Sequence, residues 1–492
     1  MTLTFPQFPR LLIWLGGSVL VGIGAATQPL ALLTALFVGL LVTISLISPI
    51  AGITIMLVLS PLRALLATAG AWPLPLDIGQ LTFLAALFAA IIHYVANRRI
   101  GYESLSKPVF TAVYIPLIVF IAGTGLTVFT AYSKGAWLTE WLKWLSIPVM
   151  MFLVDYAGRR GRWLWICFAL VASAVANALV GIFIFLGGSG ADHFAINERF
   201  FRAFGTFEQP NPFGGFMGLI APLALMLALI FALRAWHQWR RNHAIRRNTL
   251  LAMAFYSAAS GLIVMALFMS WSRGAWLGFG VSILAILFLI PRKLSYSVGI
   301  ASAAIGLILG AWALGLVPAS VEQRVVSATS EYFTLYDVRG VDITPLNYAV
   351  VERLAHWQAA LNMATDSPWL GIGLGNYEIA YEKFRLLNWN HALGHAHNYY
   401  LNILGEAGII GLLAYVFMWF ATLYFAWRVK AHPNITVRFI AIALIASFVY
   451  LAIHSLLDNV YVNNLFLHIG TLLGILLVLY RETSSYTRIA IK

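Results

Sequence analysis

The chain has 492 residues, of which 61% are apolar and only 10% charged. Soluble domains carry roughly 25% charged residues, so this composition excludes a soluble enzyme, a disordered chain and a nucleic-acid binder driven by its net charge of +13. A membrane-spanning helix takes about 20 apolar residues; the expectation is an all-α polytopic membrane protein of about 12–14 transmembrane helices, with the lipid bilayer as partner and no nucleic acid.

In chain order, apolar stretches of spanning length fall near 11–27, 30–48, 50–68, 80–96, 109–130, 145–157, 163–187, 213–233, 249–270, 274–290, 297–317, 399–427, 437–456 and 460–480. They divide the chain into N-terminal transmembrane helices (1–187), central helices (188–317), a large helical extracytoplasmic loop (318–398) and C-terminal helices (399–492). The start of the chain lacks a convincing signal-peptidase site and reads as the first membrane helix. The loop mixes acids, bases and aromatics, with helical spacing at Val351, Leu354, Ala355, Trp357 and Leu361. An ordered cap of short helices on the membrane surface is expected. The single cysteine, Cys167, lies in an apolar run and leaves no intrachain disulfide or cysteine-rich metal site.

Basic clusters orient the spans. Arg98/Arg99, Arg159/Arg160/Arg162, Arg234 to Arg247, Arg292/Lys293, Arg428/Lys430 and Arg481 share one side when both termini are cytoplasmic. Of the 18 acids only Glu103, Asp155 and Glu482 join them. The chemistry-bearing loops then face outward.

Three constellations stand out there. The first runs from Arg199 and Arg202 through a Gly/Pro/Asn-rich turn containing Asn211 into a helix. Free amides and the dipole at a helix start attract anions, so a phosphate-bearing ligand competes here with a plain capping loop. The second is Trp271-Ser-Arg273-Gly-Ala-Trp276, a lone arginine in a tight turn between two spans. Ionisable groups at the membrane edge either mark a site or snorkel to the interface. The third is His391-x3-His395-x-His397-Asn398, entering a helix that carries Glu406. Imidazole suits a general base near neutral pH. The spacing also permits a metal reading, which Gly394 weakens by interrupting a helix, or a packing role. Arg324, Arg353, Lys383 and Arg385 make the cap basic, with Glu322, Glu352 and Glu382 opposing them along the chain. His454 and Asp458, four apart, suggest a hydrogen-bonded pair.

Taken together, three motifs resemble the O-antigen ligase and O-antigen polymerase superfamily of bacterial membrane proteins. They are Arg202-x-x-Gly205-Thr-Phe-x-x-Pro-Asn211, Ser272-Arg-Gly-Ala-Trp276, and His395-x-His397-Asn398 with Glu406 and Gly408 beyond. The stretch from Arg353 to Asn376-Tyr377 resembles the end of that family's large periplasmic loop, and the similarity covers roughly residues 195–425. The resemblance implies metal-independent glycosyl transfer, without a cofactor, on the outer face of the bacterial plasma (inner) membrane, within lipopolysaccharide or polysaccharide biosynthesis of the cell envelope. The donor would be an undecaprenyl-diphosphate-linked glycan and the acceptor a glycan or lipid hydroxyl. Arg202 and Arg273, with Arg199 beside them, would bind the donor diphosphate. His397 would activate the acceptor, with His395 supporting it, and Asn398, Glu406, Asn211 and Arg353 would be accessory. The motifs lean toward a ligase, with a polymerase as the alternative within the superfamily. An anion transporter of the bicarbonate kind is the alternative outside it, although that predicts charges in mid-helix and broken helices at the centre. Here the charges lie near helix ends.

Overall fold

The computed structural model describes residues 29–70, 76–99, 112–159, 161–188, 191–196, 199–319, 321–322, 337–344 and 347–490. The expected first span, 11–27, lies outside them, as do Glu103, Arg160 and Arg324. The described chain is an all-α bundle: α1 Pro29–Ile47, α2 Pro49–Leu59, α3 Ile78–Arg99, α4 Ile115–Gly125, α5 Lys134–Gly158, α6 Trp163–Phe185, α7 Pro210–Asn242, α8 Arg247–Met269, α9 Arg273–Leu289 and α10 Leu294–Ala313. The cap follows with α11 Tyr348–Asp366 and α12 Tyr377–Phe384, and then come α13 Tyr399–Lys430, α14 Ile435–His454 and α15 Leu465–Ala490. Two short antiparallel strands, Ala195–Ile196 and Phe200–Phe201, precede α7.

Each of the other expected spans coincides with a helical stretch, and ten helical stretches of the described residues are long and apolar enough to cross a membrane. The protein is therefore a polytopic membrane protein. One boundary moves. α5 begins at Lys134, well before 145, because its first turns are amphipathic: Ser133 caps it, and Lys143 Nζ pairs with Glu140 Oε2 at 2.5 Å along the helix. Charges that lower apolar content can still belong to a helix when they pair at i,i+3.

The helices α14 and α15 form the centre, their spanning windows 83% buried, whereas α10 is 6% buried and faces outward. Glycines let the central helices approach. A Cβ at Gly218 of α7 would lie 2.1 Å from the Tyr450 ring of α14, and one at Gly278 of α9 would lie 3.1 Å from it. Tyr450 in turn donates its hydroxyl to the Gly214 carbonyl at 2.9 Å.

The connections that carry the three sequence motifs gather at one end of this bundle. Ala203 N donates to Met269 O at 2.9 Å, Asn463 Nδ2 to Phe207 O at 3.4 Å and Tyr399 N to Ser455 O at 2.8 Å. At the opposite end Asp155 accepts from Arg159 at 2.9 Å and from Arg481 at 2.5 Å.

The cap is stitched to the bundle through a break in α13. Gly408 has φ 63° and ψ −166°, which interrupts the helix and frees its backbone groups. Buried backbone groups need partners, and residues 368–373 supply them. Ile372 N donates to Gly405 O at 3.0 Å and Gly373 N to Glu406 O at 2.9 Å, while Ile409 N donates to Pro368 O at 2.8 Å. Gly371 and Gly373 make this possible: both have positive φ, and a Cβ at Gly371 would sit 2.3 Å from the Glu406 carbonyl carbon. The cap itself has small cores, one around Met363, Tyr377, Tyr381 and Ala396 and one around Val351, Leu354, Ala355 and Trp357. Leu361, expected on the same face, is 39% exposed: at ten residues from Val351 it has turned out of the apolar stripe.

Candidate functional site

The arginine side of the site begins with the loop before α7. Arg202 Nε donates to Ser270 O at 3.1 Å, and Arg202 Nη2 donates to Asn211 Oδ1 at 3.1 Å. The guanidinium is thus oriented by the first turn of α7 and by the turn that leads to Arg273. Arg273 is the first residue of α9, whose cap Ser272 accepts from Ala275 N at 3.4 Å. Gly214 packs the two helix starts together, since a Cβ there would meet Ser270 Oγ at 2.7 Å and Ala275 Cβ at 2.9 Å. Two helix N-termini therefore lie side by side with a half-buried arginine on each approach, an arrangement that favours negative charge. Arg199 is exposed and lies over the Phe200 ring at 5.3 Å.

His454, at the end of α14, joins this side to the histidines. A Cβ at Gly274 would lie 3.2 Å from His454 Cδ2, and one at Gly215 would lie 3.4 Å from its Cε1. The ring nitrogen Nδ1 of His454 meets the Tyr450 hydroxyl at 2.8 Å. The expected side-chain pair of His454 with Asp458 is replaced by this contact, because the helix ends at His454 and turns Asp458 toward the cap. Asp458 stays tied to His454 through its backbone, donating N–H to the His454 carbonyl at 3.1 Å.

Asp458 Oδ1 is where the cap histidines converge. It lies 3.5 Å from His395 Nε2 and 3.6 Å from His397 Nδ1, and accepts from Asn459 N at 2.8 Å. Burial opposes the Asp458 charge, but the contact with His397 and the neighbouring His395 outweigh it and hold the carboxyl below its usual range. Burial pushes His395 down to about 4, against the pull of Asp458, so at neutral pH this ring is uncharged. Its tautomer follows from its partners: Nδ1 accepts from His397 N at 3.0 Å, which leaves the ring proton on Nε2, facing Asp458. His397 has φ 53°, a strained region for a non-glycine residue, and its buried Nδ1 makes no hydrogen bond. Leu393 and Gly394 before it also have positive φ, so the loop holds this imidazole in a backbone conformation that sequence periodicity cannot indicate.

His395, His397 and Asp458 could in geometry hold a metal, since one ligand atom from each lies within 4.8 Å of the others. The bond that His395 Nδ1 accepts from His397 N places the ring proton on Nε2, so coordination through Nε2 would require that proton to leave.

His356, absent from the sequence reading, completes the cluster. It is 1% exposed, stacks on Tyr381 at 4.9 Å and meets His397 edge-on at 5.8 Å. Its Nδ1 lies 3.0 Å from the Tyr377 hydroxyl, which donates to the His356 carbonyl at 3.0 Å. Burial, then the neighbouring His397 and His395, push its pKa to about 3. The available signal was a polar residue between Ala355 and Trp357 on the apolar face of a cap helix.

The accessory residues divide. Asn398 caps α13, accepting from Tyr400 N at 3.0 Å and Leu401 N at 3.1 Å. Glu406 is buried and accepts from Tyr377 N at 2.9 Å, fixing the start of α12. Both shape the cap rather than join the histidine cluster. Asn211 touches Arg202, and Arg353 lies half-buried on α11, three residues before His356.

Fold and site together define a polytopic all-α membrane protein with its polar side chains collected beneath a cap at one end of the bundle. Residues 258–416 match the family model described as O-antigen ligase. That match over part of the chain supports a membrane glycan ligase- or polymerase-type function. The matched stretch includes Arg273, Arg353, His395, His397 and Glu406; Arg199, Arg202, Asn211 and Asp458 lie outside it. No curated protein matches the chain.

Proposed function

We propose that the protein moves an oligo- or polysaccharide from undecaprenyl diphosphate to an acceptor hydroxyl by a metal-independent, inverting displacement. This reading rests on two links: Arg202 is bonded to the Ser270 carbonyl on the turn that leads through Arg273 to Gly274, and His454, packed at Gly274, is bonded through the backbone to Asp458, which faces His397. Together they join an anion-favouring pair of helix starts to an imidazole backed by a carboxylate.

In the displacement the acceptor oxygen attacks the anomeric carbon as the bond to the diphosphate oxygen breaks. Negative charge grows on the departing lipid diphosphate, where the guanidinium groups of Arg202 and Arg273 stabilise it; neither group can lose its proton. His397 takes the hydroxyl proton on Nε2. Asp458 is a positioning residue: it faces Nδ1, and closing the 3.6 Å gap by a few tenths of an ångström gives the hydrogen bond that fixes Nε2 as the base. His395 holds Asp458 from the other side. One displacement inverts the anomeric centre, and no covalent glycosyl-enzyme is required.

The distribution of basic residues supports an extracytoplasmic site and cytoplasmic termini in the bacterial inner membrane. The motif pattern favours a ligase over a polymerase. Incubating purified protein with a defined undecaprenyl-diphosphate-linked repeat in EDTA, with and without a lipid or glycan acceptor, tests the reading. Acceptor-dependent product with inverted configuration is expected, laddering without acceptor indicates a polymerase, and activity restored only by a divalent ion would overturn the mechanism.

A further inference from the structure

The end of the bundle away from the histidines carries a second basic feature. α7 has 33 residues, about 50 Å at 1.5 Å per residue, and so outruns a hydrocarbon core of about 30 Å. Its last turns and the start of α8 form a cleft of about 520 Å³ whose lining includes Phe231, Arg234, Gln238, Arg246, Arg247 and Thr249. No carboxylate lines this cleft. Arg234 donates to Thr436 Oγ1 at 2.9 Å and lies over the Phe231 ring at 5.0 Å. Gln238 spans the gap, donating to Thr249 Oγ1 at 3.0 Å and accepting from Arg246 N at 3.0 Å. Arg246 and Arg247 are exposed. Three guanidinium groups around one small concavity without an internal counter-charge create a positive potential that an anion relieves.

We propose that this cleft binds the phosphate headgroup of an anionic phospholipid. The surroundings choose a lipid over a soluble phosphate. Trp236 and Trp239, 52% and 49% exposed, lie on the same protruding turns of α7, as residues at the interface do. Leu250 and Leu251, 46% and 56% exposed, begin the apolar surface of α8 immediately below the arginines. The headgroup sits against Arg234, Arg246 and Arg247, and its acyl chains run along the outer face of α8. Basic pockets between helix ends bind lipid headgroups in this way. The site is at the far end of the bundle from His397 and does not depend on the transfer chemistry.

The test uses the full chain in nanodiscs of phosphatidylcholine containing a minor fraction of phosphatidylglycerol, with retained lipid counted by native mass spectrometry. Wild type should retain phosphatidylglycerol selectively. Arg246→Gln with Arg247→Gln should lower that selectivity roughly 25-fold, at about fivefold per basic residue. These exposed positions leave the fold intact, and an Arg234→Gln variant gives an independent check. Equal retention of the two lipids by wild type, or selectivity unchanged in the variants, would overturn the proposal. Inorganic phosphate at millimolar concentration should not displace the lipid; displacement would assign the cleft to free phosphate instead.

Discussion

Arg202 donates through Nε to the backbone carbonyl of Ser270 at 3.1 Å, across 68 residues of chain. The contact fastens the first arginine motif to the turn that carries the second, so Arg202 and Arg273 are held by one piece of structure. A guanidinium oriented by a carbonyl on one side and by Asn211 on another has a fixed direction, which an ammonium on a flexible stem lacks.

Arg202→Lys and Arg273→Lys should each lower turnover of a lipid-diphosphate donor about 10²–10³-fold although charge is kept, in line with the loss of one oriented donor to a developing anion. Initial rates with purified variants measure this. Wild-type rates in either lysine variant would remove that arginine from the diphosphate site.

His397→Ala should lose transfer by about 10²–10⁴-fold, the range of general-base catalysis, while donor binding persists. Asp458→Asn should lower kcat and leave the acceptor KM nearly unchanged, because it disturbs the tautomer of His397 and not the acceptor contacts. A rise in KM with kcat intact would make Asp458 a binding residue instead.

Stability should fall in acid through the cap. His395 and His356 titrate at about 4 and about 3 in the folded protein, below the ordinary histidine value of about 6.5. The unfolded chain therefore binds these protons first. Their stabilisation is complete above about pH 6.5 and is lost toward pH 4 and 3, with a slope of up to about 1.4 kcal/mol per pH unit for each group. Asp458, also displaced downward, adds a loss at lower pH still. Melting temperatures in detergent between pH 7.5 and 4.5 should drop, and His356→Gln should flatten the drop. An unchanged melting temperature across that range would contradict the burial of these rings.

Gly371→Ala or Gly373→Ala should cost several kcal/mol. Each adds a Cβ to a positive-φ position, within 2.3 Å of Glu406 C or 2.5 Å of Ala131 Cα respectively. Loss of the monodisperse peak in fluorescence-detected size exclusion is the expected result, and wild-type elution and melting would show that the cap is fastened elsewhere.

Much of this architecture was legible in the sequence, because spanning helices depend above all on apolar length. The start of α5 was obscured by Lys134, Glu140 and Lys143, which read as loop until their pairing along a helix is known. The motifs pointed to Arg202, Arg273, His395 and His397 as individual residues. What was hidden depends on topology: His356 meets His397 only once α11 folds over α13, and Asp458 turns to the cap because α14 stops at His454. The clip at Gly408 was equally invisible, since its hydrogen-bond partners lie more than thirty residues earlier, at 368–373.

The decisive measurement is a cryo-electron microscopy density for undecaprenyl diphosphate-glycan bound to the full chain in nanodiscs. Phosphates are expected between the starts of α7 and α9, touched by Arg202 and Arg273, with the anomeric carbon facing His397. Phosphates held elsewhere, or a sugar remote from His397, would contradict the proposed transfer.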